Sequence, residues 1–147
     1  DTPARLVEQL ARGKCLAVSA QHPGAVVIGC DTVVDVNGEV FGKPHGKEDA
    51  KRMLRALSGA THEVHTGVCI SDGARTESFV DSCRVTFFPL GEEEIDFYAS
   101  TAEPYDKAGA YAIQGRAALW LDRIEGDYYT IMGLPVSRTV QLLAHFV

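Results

Sequence analysis

No apolar run in this chain is long enough to span a bilayer, so no helical membrane span is expected within it. A basic surplus is missing too. Lys and Arg number 14 against 20 Asp and Glu, a formal net charge of -6. A protein that wraps a nucleic-acid backbone needs a basic face, so no nucleic-acid polymer is expected as a partner. A small anionic substrate is not excluded, because a few lysines can make a local positive pocket. No C-x-x-C pair occurs, which removes the usual sign of a zinc site. The four cysteines, Cys15, Cys30, Cys69 and Cys83, are even in number and could in principle form two disulfides. We expect no secretory leader, and free thiols in a reducing, cytoplasmic setting follow. Repeats, low-complexity tracts and linkers are absent as well. The 147 residues therefore read as a single domain able to bury a real core.

What is present is an ordinary globular mixture, 46% hydrophobic and 23% charged. "DTPARLVEQLARGKCLAV" predicts a helix, with Thr2 as cap, Pro3 at the first position and Leu6, Leu10 and Ala17 on one side. "AVVIGCDTVVDV" predicts a strand. Asn37-Gly38 then turns it into "EVF" as a hairpin. "GKEDAKRMLRALSG" predicts a second helix with Ala50, Met53, Leu54 and Leu57 inward. "HEVHTGVCIS" and "ESFVDSCRVTFFPL" read as two long strands around an Asp72-Gly73 turn. "GEEEIDFYAST" reads as a short helix and "AALWLDRIEG" as a strand. "LPVSRTVQLLAHF" reads as a closing helix with Pro135 at its start. Hairpins and helical crossovers together give an α/β class, a mixed β-sheet with flanking helices.

Three stretches can carry chemistry. In "GCDTVV" a carboxylate, Asp31, and a hydroxyl, Thr32, interrupt an apolar run. Such an acid can act as general base toward water or bind a metal through its oxygens. The commoner role for a lone aspartate is to pair with a lysine or to cap a turn. In "FGKP" the neighbours Gly42 and Pro44 fix the backbone around Lys43, which suits a lysine aimed at a phosphate. In "YDKAGAYAIQG" Asp106, Lys107, two glycines and Gln114 stand close together, and the glutamine amide offers both a donor and an acceptor to a base edge. A plain Gly-rich loop would explain the glycines but not the polar set. Cys30 beside Asp31 reads as a small buried hydrophobe rather than a nucleophile. "HEVH", His62 to His65, reads as strand residues rather than a zinc motif, and "EEE" at Glu92 to Glu94 as a helix-start cluster.

Taken in order, "IGCDTVV", "FGKP", "ALSGATHEVHTGV", "EPYDKAGAYAIQG" and "GDYYTIMGLPV" closely resemble the Maf family of nucleoside triphosphate pyrophosphatases, named for inhibition of septum formation. The resemblance covers essentially the whole chain. Its "DKAGAYAIQG" segment is similar to the branch that acts on dTTP and UTP. It implies a Maf/inosine-triphosphatase-like fold with the active site in a cleft. Asp31 is then the expected general base, activating water toward the α-phosphate to yield a monophosphate and pyrophosphate. A divalent cation, Mg²⁺ first and Mn²⁺ second, would contact Asp31. Lys43 and Lys107 are the expected catalytic cations, and Lys14 matches a further substrate-binding lysine. Thr32 and Gln114 match positions that select the base, here a pyrimidine. Nucleotide-pool housecleaning in the cytoplasm is the implied role, with a homodimer as the family's expected assembly.

Two departures stand beside these matches. The family opens with a strand and an S-x-S-P-R-R-type phosphate-binding loop ahead of the first helix, and that segment is expected to be lacking here. Ala60 stands where the family often has arginine. The alternative from another class is a non-catalytic module that binds nucleotides or a protein partner in cell-division control.

Overall fold

The computed structural model describes residues 2–147. The chain runs α1 (Pro3–Gln21), β1 (Val27–Val36), β2 (Glu39–Phe41), α2 (Lys47–Leu57), β3 (Thr61–Ser71), β4 (Thr76–Phe87) and α3 (Glu92–Ala99). Three short 3₁₀ turns follow, at Glu103–Asp106, Ala108–Ala110 and Arg116–Trp120. Then come β5 (Leu121–Glu125), α4 (Tyr128–Met132) and α5 (Val136–Leu143). The strands form one five-stranded sheet in the order β2-β1-β3-β4-β5. β1 pairs antiparallel with β2, and β4 with β5. β3 and β4 are neighbours joined by the turn at 72–75. The expected α/β class with flanking helices is therefore present, and the expected mixed sheet narrows to an antiparallel one.

Local chemistry explains the elements. The Thr2 hydroxyl accepts from the Arg5 N–H and Pro3 fills the first turn of α1, so the predicted helix start is in place. Asn37 (φ 52°) and Gly38 (φ 90°) both sit in the left-handed region, and Val36 pairs with Glu39. That is the two-residue type I′ hairpin whose twist matches the strands. The predicted strand over "AALWLDRIEG" is a 3₁₀ turn through Trp120 and becomes β5 only from Leu121.

Backbone contacts divide the described chain into two compact units, and the long strands β1, β3 and β4 each contribute to both. The first holds residues through Thr32, His65–Ser82 and Asp127–Val147. Here α1 buries Val7, Ala11, Cys15 and Ser19. Leu10 remains 42% exposed, and Leu6 and Ala17 are not buried either, so the inward face differs from the expected one. The reason lies in two glycines. A Cβ on Gly67 would stand 2.6 Å from the Val7 carbonyl oxygen, and one on Gly29 would stand 2.8 Å from the Cys15 nitrogen. The helix backbone rests directly on glycine, so small residues, not leucines, face the sheet. Ala11, Cys15 and Cys69 form the core there, with Val27 packed against them.

The second unit holds Val33–Val64 and Cys83–Gly126. α2 buries Ala50, Met53, Leu54 and Leu57, as its periodicity predicts. An aromatic cluster fills the rest of the core. The Phe87 and Tyr111 rings meet edge-on at 5.0 Å and those of Tyr98 and Trp120 at 4.7 Å. Such pairs add to the area they bury.

Candidate functional site

Lys14 and Asp31 come together in the first unit, with the Thr32 backbone N–H beside them and the Thr32 side chain on the other face of β1. Asp31 lies on β1, half-buried, and its Oδ1 accepts from Lys14 Nζ at 3.2 Å and from the Thr32 backbone N–H at 3.1 Å. Among the described residues no hydrogen bond reaches Oδ2. The carboxylate is thus fixed in orientation while one oxygen is left to a ligand. Lys14 carries three donors, so it can hold Asp31 and still meet an anion.

The Thr32 side chain belongs to a longer network in the same unit. Its Oγ1 lies 2.8 Å from Thr66 Oγ1, and the Thr66 hydroxyl donates to the Thr130 carbonyl at 2.7 Å. The Thr130 hydroxyl in turn donates to Asp81 Oδ2 at 2.6 Å, and Arg138 Nη1 donates to Asp81 Oδ1 at 2.8 Å. Asp127 caps α4 by accepting from the Tyr129 N–H, which fixes the turn that bears Thr130. Sequence reading passed over Thr66, Thr130, Asp81 and Arg138. The available signal was a hydroxyl, Thr66, inside the apolar run "VHTGVCI".

Lys43 and Lys107 are placed in the second unit by two turns tied to each other. The Gly109 N–H donates to the Gly42 carbonyl at 3.1 Å, joining the Gly-Lys-Pro turn to the Lys107-Ala-Gly turn. Gly109 has φ 74° and packs so closely that a Cβ would meet Val34 Cγ2 at 2.7 Å. Ala110 takes φ 69°, a left-handed conformation uncommon for a residue with a side chain, while fully buried. The lysine loop is therefore held by packing against β1, not by local preference. Lys107 Nζ also lies 3.3 Å from Asp106 Oδ2, and Lys43 is exposed.

Gln114 is exposed at the far end of that loop, between the buried Ile113 and Gly115. The Glu103 carboxylate packs where a Gly115 side chain would project. It accepts from the Tyr98 hydroxyl, and that hydroxyl accepts from the Ala112 N–H at 3.2 Å. A side chain at Gly115 would displace the Glu103 carboxylate that anchors the loop presenting Gln114.

The remaining candidates take structural roles. His62 and His65 are buried strand residues. His62 Nε2 meets the Tyr111 hydroxyl at 2.7 Å, and His65 Nδ1 meets the Ser82 hydroxyl at 2.7 Å. Burial depresses the His62 pKa to about 4, so the ring is neutral at pH 7. The Cys30 thiol is half-buried and its pKa is raised, chiefly by desolvation, which fits a packed thiol rather than a nucleophile. No disulfide joins Cys15, Cys30, Cys69 or Cys83. Among the described residues no three His, Cys, Asp or Glu side chains cluster as a metal cage. No helix among them is long and apolar enough to cross a membrane. A lone carboxylate with one open oxygen still fits a hard cation carried in on phosphates, since Mg²⁺ is commonly held by one or two carboxylates plus substrate oxygens.

A family profile described as "Maf-like protein" matches residues 1–146. The chain is 50% identical over 145 residues to a protein of Bacillus velezensis named dTTP/UTP pyrophosphatase, covering 99% of this chain and 77% of that one. It is 51% identical over 146 residues to a protein of Symbiobacterium thermophilum with the same name, covering 99% and 75%. A Bacillus mycoides protein, again so named, is 46% identical over 145 residues.

Proposed function

The chain belongs to the Maf-like family, and from that membership we propose that it hydrolyses dTTP and UTP to the monophosphate and pyrophosphate. The observation that carries the reading is Asp31, a half-buried carboxylate oriented through Oδ1 with Oδ2 open. Asp31 accepts a proton from water as that water attacks the α-phosphorus. The bond from the α-phosphorus to its bridging oxygen breaks, and the electron pair leaves with pyrophosphate. The new oxygen stays on the monophosphate. Lys14 meets phosphate charge beside Asp31, and Lys43 and Lys107 neutralise charge on the triphosphate, as fixed cations stabilise developing negative charge. Thr32 and Gln114 read the pyrimidine. A divalent cation, Mg²⁺ in the first place, would be held by Asp31 and the substrate oxygens and would supply charge neutralisation. A cytoplasmic housecleaning role and a homodimer belong to the same reading. The activity named for the relatives weighs against the non-catalytic module.

The test is turnover of a nucleoside triphosphate panel with Mg²⁺ in ¹⁸O-labelled water. UTP and dTTP should give pyrophosphate and singly labelled monophosphate. Release of inorganic phosphate with a diphosphate, or no turnover of any pyrimidine nucleotide, would overturn the proposal.

A further inference from the structure

The hydroxyl network around Thr32 has a fixed direction. Each threonine hydroxyl has one hydrogen. Thr66 gives its hydrogen to the Thr130 carbonyl, which can only accept. At its contact with Thr32, Thr66 must therefore be the acceptor and Thr32 the donor. The Thr32 hydrogen is used up inward, and Thr32 Oγ1 offers only lone pairs to any further group that reaches it. Gly133, with φ 116°, keeps that flank bare: the nearest atom to a Cβ there would be Thr32 Oγ1 at 3.6 Å. Thr66 is fully buried, so water does not compete for its hydroxyl.

We infer that Thr66 is a positioning residue that holds the Thr32 hydroxyl as an obligate hydrogen-bond acceptor, so that the site favours a base presenting a ring N–H over one presenting a bare ring nitrogen. This rests on the reading that Thr32 meets the pyrimidine. Uracil and thymine carry a hydrogen on N3, where cytosine carries a lone pair. A lone pair facing a hydroxyl that cannot turn is left unpaired, and unpaired polar groups in a site are what discriminate most strongly. Asp81, held by Arg138, steadies the Thr130 turn that receives the Thr66 hydrogen.

The experiment compares kcat/KM for UTP and CTP in the wild type, Thr66→Val and Thr66→Ser. The wild type should favour UTP. Thr66→Val frees the Thr32 hydroxyl to rotate and donate, so the UTP/CTP ratio should fall by about tenfold or more, through CTP rising relative to UTP. Thr66→Ser keeps the hydroxyl and should restore the ratio. A merely structural role would lower both substrates together and leave the ratio in place, and that result overturns the inference. Should Thr66→Val not fold, 3-deazauridine triphosphate, with C–H in place of N3–H, puts the same question to the wild type. It should be turned over at least tenfold less well than UTP, and parity overturns the inference. A wild type that turns over no pyrimidine nucleotide removes the underlying reading instead.

Discussion

Replacing Gly109 with alanine should loosen the loop that carries Lys107, and the structure sets the size of the effect. The new Cβ would stand 2.7 Å from Val34 Cγ2 and 3.0 Å from Val34 Cβ. Valine is stiff at χ1, so its side chain cannot swing away and the backbone must give. Overpacking of this kind costs about 1–3 kcal/mol. The left-handed φ of 74° adds about 1–2 kcal/mol for a residue with a Cβ. Gly109→Ala should thus lower the unfolding free energy by roughly 2–5 kcal/mol, as measured by urea denaturation. Part of that loss is steric, so Val34→Ala should rescue it. The double variant should be more stable than the sum of the singles by about 1–3 kcal/mol. The backbone bond from Gly109 to Gly42 is strained by the same shift, so turnover should fall even where the protein remains folded. A Gly109→Ala protein within about 0.5 kcal/mol of wild type, with additive behaviour in the double variant, would refute the packing argument.

Other outcomes follow from particular contacts. Gly67→Ala would drive a methyl against the Val7 carbonyl at 2.6 Å, and a drop of about 3 kcal/mol or more in urea is expected, because both partners are backbone-anchored. His62 is held neutral with its pKa near 4, whereas it titrates near 6.5 when unfolded. The unfolded state then binds the extra proton first. This contribution is whole above pH 6.5 and is lost as the pH falls toward 4, about 3 kcal/mol in all. His62→Asn should flatten the stability profile across that window. Asn37→Val should cost about 1–2 kcal/mol at the hairpin, read from the denaturation midpoint, since a β-branched residue resists φ 52°.

Periodic and local signals were legible in the sequence; close backbone approach and long-range polar pairing were not. The Thr2 cap, the Asn37-Gly38 turn and the inward stripe of α2 depend on neighbours within a few residues, and the structure has them. The inward face of α1 depends on Gly29 and Gly67, which sit on two different strands, so its leucines misled a reading based on hydrophobicity alone. At the candidate site, Asp31 stood out as a charge in an apolar run. Its contact with Lys14, 17 residues away, needed the helix laid on the sheet. Thr66 pairs with Thr32 across 34 residues and was read only as part of a strand. Lys43 and Lys107 were each visible beside glycines. The single hydrogen bond that joins their two turns was not. The resemblance to the Maf family added what spacing could not supply, the chemical role expected of each position.

The central claim is that Asp31 is the base of a pyrophosphatase, and Asp31→Asn tests it most directly. Asparagine keeps an oxygen for the Thr32 N–H and nearly the same volume, so folding and nucleotide binding should persist while the proton acceptor is lost. Pyrophosphate release from UTP and dTTP should fall by about 10²–10⁴-fold in kcat, the usual worth of a general base. A variant that folds, binds UTP and turns it over within a few-fold of wild type would contradict the claim.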